Sequence, residues 1–463
     1  MLRIVALVLF ALLTLPAQAL EQFCAAPAAS SESDVRRILS ERIDREHRGV
    51  GIVVGVITPQ GRRVISHGVF AQGDSRPLDG DTLFEIASVG KVFTAMALAD
   101  MVQRGEVALD DPVAKYLPAG VTMPERGGRT IALRDLATHM SGLPRMPTNF
   151  APGDPSNPYA DYTPEQLYAF LSGYALTRDI GSQYAYSNLG YGLLGNVLAR
   201  RAGVDYETLV TSRISKPLGL NSTAITLPPN LKARLAKGHN ELLQPVPNWD
   251  DTTMAGAGSL LSSVNDLLTF VAAHLAEPDS ALGSAMAAMR AVRRPTGTPN
   301  LDIALGWHIL TQEGREFVWH NGGTGGYSSF AGFCPQTGVG VVVLANSEIG
   351  VDDIAVHLVD PNRPLDKPLP QGQSRTTDPY SFEGFVGRYR LAANSVVTVS
   401  REGSHLFLEE AGEPRVEAFA QSRESGTFKV ADGQIRFETD AFGRVTGLIL
   451  RRQGRDFSAT RIE

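Results

Sequence analysis

Residues 359–380 divide the chain. From Asp360 to Tyr380 the sequence reads DPNRPLDKPLPQGQSRTTDPY, with five prolines and little apolar content. Proline has no amide hydrogen to give to a helix or a sheet, so no single core runs through such a stretch. It reads as a linker between two folding units. The first unit spans residues 20–358 and the second residues 381–463.

The two units carry different hydropathy patterns. In the first, residues 33–47 have the helical period, with Val35, Ile38, Leu39 and Ile43 on one face and Ser31 or Ser33 as the cap. Two strands follow, residues 51–57 and 63–71, around a Pro59-Gln60-Gly61 turn. Residues 81–294 are mainly helical, and their Pro- and Gly-rich loops are densest at 145–164. Strand patterns return at 315–320, 327–333 and 338–346. Strands at both ends with helices between predict an α/β (α+β) domain whose terminal strands share one mostly antiparallel sheet flanked by helices. The second unit alternates apolar and polar residues in short runs at 395–400, 405–409, 427–430, 434–438 and 445–451. That spacing predicts a small antiparallel β-barrel or sandwich.

The N-terminus adds an address. Arg3 precedes an apolar run, residues 4–15, and Ala17-Gln18-Ala19 is a small-x-small triplet. The run is too short to span a bilayer, so residues 1–19 read as a secretory signal peptide. The expectation is a periplasmic or secreted protein with no transmembrane segment after cleavage. The rest of the composition is that of an ordinary globular chain: 43% hydrophobic, 20% charged, net charge −6. Without a basic block, no nucleic-acid partner is expected. Two cysteines are present, Cys24 and Cys334. An oxidising compartment permits one disulfide between them, and the sequence equally leaves two free thiols. The bulky, charged residues Leu20-Glu21-Gln22-Phe23 before Cys24 do not suit a lipid-attachment site.

Three short motifs carry chemistry. Ser88-Val89-Gly90-Lys91 opens the apolar helical run 92–98, and positions i and i+3 share a helix face. A serine hydroxyl is a poor nucleophile until a base takes its proton. A lysine does that only where burial or nearby positive charge holds its pKa below about 10.4. Ser-x-x-Lys is common by chance, and the plain alternative is an N-capping serine beside a solvated lysine. Here Lys91 alone among the lysines has a serine three residues before it. Tyr186-Ser187-Asn188, the single Tyr-x-Asn of the chain, stands before a helical segment. Its phenol can relay a proton and its amide can hold a substrate carbonyl. His320-Asn321-Gly322-Gly323 follows a strand pattern, and glycines there let a substrate backbone come close. Taken alone, each reads as well as a core tyrosine by a capping asparagine, or a hydrogen-bonded turn histidine.

Together and in this order, Ser88-x-x-Lys91, Tyr186-x-Asn188 and His320-x-Gly322 resemble the serine β-lactamase and penicillin-binding-protein-like hydrolases. The closest resemblance is to the branch of class C β-lactamases and D-alanyl-D-alanine carboxypeptidases. The flanks 83–88, 133–144 and 186–195 match as well, and the resemblance covers residues 35–350. It implies a β-lactamase/transpeptidase-like fold with Ser88 as acylated nucleophile, Lys91 as its activating partner and Tyr186 as proton relay. It further implies that Asn188 holds the substrate amide and that the backbone N–H groups of Ser88 and Gly323 form the oxyanion hole. His320 stands where many class C β-lactamases carry lysine, and a neutral imidazole is no fixed counter-charge for a substrate carboxylate. The tail, from Gly384-Phe385-Val386-Gly387-Arg388-Tyr389 to a late hairpin at 437–445, is similar to a lipocalin-like β-domain appended to some members.

The implied activity is acyl transfer through an acyl-serine, on D-Ala-D-Ala-type peptidoglycan peptides or β-lactams. A carboxylesterase or D-aminopeptidase on the same fold, or a β-lactam or cell-wall-fragment binder that never turns over, are the alternatives. No cofactor and no metal are expected, since no His-Glu-x-x-His and no metal-spaced cysteine pair occurs. Gly190-x-Gly192-x-x-Gly195 fits a dinucleotide fingerprint but follows no strand, so its glycines are expected to serve close helix packing instead. His139 is read as structural.

Overall fold

The computed structural model describes residues 23–24, 31–154, 156–276, 279–366, 382–392, 395–402, 405–410, 415–422, 427–430, 433–440, 445–452 and 455–462. The expected signal peptide and most of the proline-rich linker lie outside the described residues.

A nine-stranded antiparallel sheet organises the larger domain. In spatial order its strands are Asp74–Pro77, Gly61–Ala71, Gly51–Thr58, Val339–Ala345, Ser328–Cys334, Arg315–Gly323, His308–Gln312, Leu301–Ile303 and Arg294–Pro295. The first and last parts of the domain therefore meet at the centre, where Ile52 faces Ala345 and Val54 faces Val343. The central strands GIVVGVIT, SSFAGFC and VGVVVLA are almost wholly buried. Their near-continuous apolar character follows from being covered on both faces, as in other doubly covered sheets.

Alternation along these strands feeds two separate cores. Val53, Ile57, Val342 and Leu344 join the larger core under the middle helices. Ile52, Val54, Val56, Val341 and Val343 join a smaller one, against the helices Glu32–Ser40 and Asp352–Val359. The first of these helices continues as a π-helical turn over Glu41–Arg45. Its Arg42 makes a buried ion pair with Asp353 of the second. Cys24 and Cys334 lie in this smaller core, joined by a disulfide with Cα atoms 5.8 Å apart. The N–H of Cys24 also donates to the carbonyl of Val359 at 3.1 Å. The disulfide thus ties the start of the described chain to the last residue of the strand Ser328–Cys334.

Eight antiparallel strands between Gly387 and Arg461 form a closed barrel with its own core. Closure rests on a short pairing in which Tyr389 and Arg390 face Arg461 and Thr460. Among the described side chains, Phe385, Tyr389, Phe428 and Phe437 pack within it, with Phe385 and Phe437 stacked at 4.3 Å.

Candidate active site

Ser88 sits where a strand turns sharply into a helix. The strand Leu83–Glu85 ends, Ala87–Val89 makes one 3₁₀ turn, and the helix Gly90–Gln103 begins. Ala87 takes φ 46°, a left-handed backbone that costs a residue with a Cβ about 1–2 kcal/mol. The turn is held from several directions. The N–H of Ile86 donates to Leu260 O at 3.0 Å. Ser329 Oγ donates to Ile86 O at 2.7 Å. Gly322 passes so close that a Cβ there would lie 2.7 Å from both Ile86 O and Ser88 N. The helix that follows is apolar all round, and residues 90–101 are buried, as such a sequence requires.

Lys91 lies one turn into this helix and has no exposed surface. Its Nζ is 2.9 Å from Ser88 Oγ and 2.6 Å from the carbonyl of Ala257. Loss of hydration pushes its pKa well below the ordinary lysine value, and the positive charge of Arg145 adds to the effect, while Asp251 opposes it. A neutral amine has two N–H groups and one lone pair. With one N–H on Ala257 O, the lone pair is available to the Ser88 hydroxyl proton.

The loop that supplies Ala257 is itself anchored. Thr94, one turn beyond Lys91, donates to Gly256 O at 2.7 Å. Asp251 accepts from Met254 N at 2.7 Å, and burial pushes this carboxyl up to about 7. On the far side the helix Asn188–Ala202 presses against the same loop. A Cβ on Gly195 would lie 2.8 Å from Gly256 Cα, and one on Gly192 would lie 2.5 Å from Met254 Sδ. These are the glycines of the apparent dinucleotide fingerprint, and close packing is their use here.

Tyr186 is placed over the lysine, with its ring centroid 4.9 Å from Lys91 Nζ. His139 stacks on it at 4.4 Å, and the Arg145 guanidinium carbon lies 5.1 Å from it. His139 Nδ1 accepts the N–H of Ser187 at 3.0 Å. Ser187 caps the helix Asn188–Ala202, its hydroxyl accepting from Gly190 N at 2.8 Å and donating to Pro144 O at 2.6 Å. Asn188 Nδ2 reaches the Tyr159 hydroxyl at 3.4 Å, and its Oδ1 is buried with no hydrogen-bond partner among the described residues.

His320 lies beyond Tyr186, with ring centroids 6.2 Å apart. Its Nδ1 is 2.6 Å from Asn321 O. The side chain is 1% exposed, and burial holds its pKa well below the usual histidine value. A second buried imidazole, His308, stands 5.3 Å from it and accepts or donates to the Tyr184 hydroxyl at 3.0 Å. Burial brings His308 down to about 4. Gly322 and Gly323 end the strand Arg315–Gly323, opposite Ser329 and Ser328.

The fold therefore gathers Ser88, Lys91, Tyr186, His320 and Gly322 in one place, sets Asn188 at the start of the helix that follows Tyr186, and keeps Cys24 and Cys334 in the other core. It also brings in groups the motifs do not name: Arg145, His139, His308, Asp251, the carbonyl of Ala257, and Glu85. Glu85, raised in pKa by burial, accepts from Asn248 Nδ2 at 2.8 Å and Trp249 N at 3.0 Å. The small-residue run Ala255-Gly256-Ala257-Gly258, which the motif reading does not use, is the sequence feature that fits this close backbone approach. His139, read from the sequence as structural, packs on Tyr186, and Arg145 and Asp251 carry no comparable sequence sign.

A model of the Beta-lactamase family matches residues 35–359. A model of a domain of unknown function, DUF3471, matches residues 372–462. Over 355 residues the chain is 28% identical to the D-alanyl-D-alanine-carboxypeptidase/endopeptidase AmpH of Escherichia coli, covering 72% of this chain and 91% of that one. Over 434 residues it is 26% identical to a penicillin-binding protein of Bacillus subtilis, covering 86% of this chain and 92% of the relative. Among solved structures, a beta-lactamase/D-alanine carboxypeptidase from Yersinia pestis superimposes with a TM-score of 0.61 at 25% identity. That match covers 71% of this chain and 97% of the other. Among the described residues, no helix is long and apolar enough to cross a membrane.

Proposed function

The chain belongs to the beta-lactamase family of serine hydrolases, and on that premise we propose that it is an exported enzyme acting on D-Ala-D-Ala-type peptides, with β-lactams as substrates or slow acylators. The observation that carries this reading is a fully buried Lys91 amine, held below its ordinary pKa, 2.9 Å from the hydroxyl of Ser88.

In this reading Ser88 Oγ attacks the substrate carbonyl carbon while its proton passes to the Lys91–Tyr186 pair. The N–H groups of Ser88 and Gly323 receive the developing oxyanion. Collapse breaks the amide C–N bond, and the leaving nitrogen takes a proton through Tyr186. A water then attacks the acyl-serine ester, gives its proton to the Lys91–Tyr186 pair, and restores the Ser88 hydroxyl. The two groups act as a coupled unit, so neither alone is named as the base. Asn188 holds the substrate amide. The residue identities at these positions and the two relatives support the assignment.

A second reading, a carboxylesterase or D-aminopeptidase, draws on His320. Buried and neutral, it places no fixed charge where a free carboxylate would want one. Intact-mass measurement of the chain lacking residues 1–19, mixed with a penicillin, tests the first reading alongside D-Ala release from a D-Ala-D-Ala pentapeptide. An adduct mapping to Ser88 with D-Ala release is the expected result. No adduct and no D-Ala, with turnover of short esters or D-amino-acid amides, would establish the second.

A further inference from the structure

The position of His320 leaves a chemical question open, and the charges around Tyr186 answer it. With Nδ1 2.6 Å from a carbonyl oxygen, a neutral His320 carries its proton there and presents only a lone pair at Nε2. That nitrogen is buried and without a hydrogen-bond partner among the described residues. A lone pair accepts a hydrogen bond and cannot hold a carboxylate. The other nitrogen bases of the site are no better suited. His139 Nδ1 is taken by Ser187 N–H, His308 is engaged with Tyr184, and Lys91 is turned to Ser88 and Ala257.

Arg145 differs from all of these in charge rather than in being unengaged, because a guanidinium keeps its charge whatever its surroundings and its five N–H donors can serve more than one partner. Its carbon lies 5.1 Å from the centroid of the Tyr186 ring, on the residue assigned to the leaving nitrogen. The carboxylate of a C-terminal D-alanine is attached through one carbon to that same nitrogen, so the two must be neighbours. The loop bearing Arg145 is held in place before any substrate arrives. Leu189 N donates to Arg145 O at 3.0 Å, Ser187 Oγ to Pro144 O at 2.6 Å, and Arg178 to Leu143 O at 3.2 Å. A guanidinium on a fixed loop is suited to bidentate carboxylate recognition.

We propose that Arg145 binds the free carboxylate of the substrate's C-terminal residue, so that the anionic subsite lies beside Tyr186 and not at His320. This rests on the hydrolase reading of Ser88 and deepens it. The experiment compares kcat/KM for an acyl-D-Ala-D-Ala peptide with that for its C-terminal amide, in wild-type protein, Arg145→Gln, Arg145→Lys and His320→Asn. Wild type is expected to favour the acid. Arg145→Gln should cut the acid-to-amide ratio roughly ten- to a hundredfold, mainly through KM on the acid. Arg145→Lys, which keeps the charge but not the fork, should recover part of that ratio and guards against a mere folding defect. An unchanged ratio in Arg145→Gln, or a ratio that collapses in His320→Asn instead, overturns the proposal. A wild type that acylates with penicillin but treats acid and amide alike overturns it too, with the Ser88 reading intact. Neither peptide turned over and no penicillin adduct would remove the reading and the proposal together.

Discussion

In the larger domain Lys91, His139, His308 and His320 are buried close together, and burial pushes all four toward their neutral forms. Loss of hydration lowers those four bases and raises the neighbouring carboxyls, Glu85 and Asp251. In the barrel, the described interior includes Phe385, Tyr389, Phe428, Ile435, Phe437, Leu448 and Leu450. The buried Tyr389 hydroxyl there donates to Phe385 O at 2.7 Å. Charged barrel residues such as Arg451 and Asp456 pair at 2.6 Å while about half exposed, where an ion pair contributes little but costs little. The difference teaches where this chain tolerates desolvated polar groups. It does so around Ser88, where a lone pair is needed, whereas the described core of the barrel is apolar.

The sharpest way to break this contrast is to remove the reacting groups. Ser88→Ala is expected to abolish the penicillin adduct altogether, as read by intact mass. Lys91→Met should slow acylation by at least ~10³-fold and yet raise the melting temperature of the larger domain. The sign follows from proton linkage. Lys91 has a folded pKa well below its unfolded value of 10.5. Between those two values the unfolded chain holds a proton that the native chain lacks, so stability rises with pH across that window and the full cost is present below it. Lys91→Met removes that slope. Calorimetry from neutral to alkaline pH checks it, and a melting temperature lowered at neutral pH by the substitution would mean that Lys91 is not held neutral at a cost.

Gly322→Ala tests the geometry rather than the chemistry. The new Cβ would stand 2.7 Å from two backbone atoms, Ile86 O and Ser88 N, neither of which can rotate away. The Ser88 turn must shift, and a misplacement of that size is expected to cost about 10²-fold in acylation rate. Overpacking of this kind destabilises by about 1–3 kcal/mol, and the loss should fall on the larger domain's transition alone. Acylation by a penicillin close to the wild-type rate would show that the turn is not as tightly set as the contacts imply.

What was legible in the sequence follows the same divide. The barrel could be read from alternation, because each strand carries its own inside and outside. In the larger domain Ser88 and Lys91, Tyr186 and Asn188, and His320 and Gly322 were legible because each pair is set by local spacing. The groups that tune them were not. Arg145 and His139 reach Tyr186 through a loop whose path depends on Ser187 and Arg178. The Ala257 carbonyl reaches Lys91 across 166 positions of sequence. The sequence leaves Cys24 and Cys334 as either a disulfide or two thiols, since their meeting depends on the N-terminal segment being pinned beside Val359. The helix and strand patterns predicted the sheet and its shared terminal strands. Spacing alone could not say which distant loops the sheet would bring over Ser88.

The smallest expected effect on activity comes from damaging the barrel. Phe437 is 5% exposed, stacks on Phe385 at 4.3 Å and meets the edges of Tyr389 and Phe428, both at 5.7 Å. Phe437→Ala should cost about 3–5 kcal/mol, a large part of what a small domain holds in total. The barrel's melting transition should fall or vanish, while the larger domain's stays in place. The buried cluster around Phe437 shares no residue with the one beneath Ser88, so penicillin acylation should stay within about twofold of wild type, as for distant independent sites. A tenfold fall would overturn that separation. It would mean that the barrel's folded state shapes the Ser88 site, and that its apolar core serves catalysis as well as its own stability.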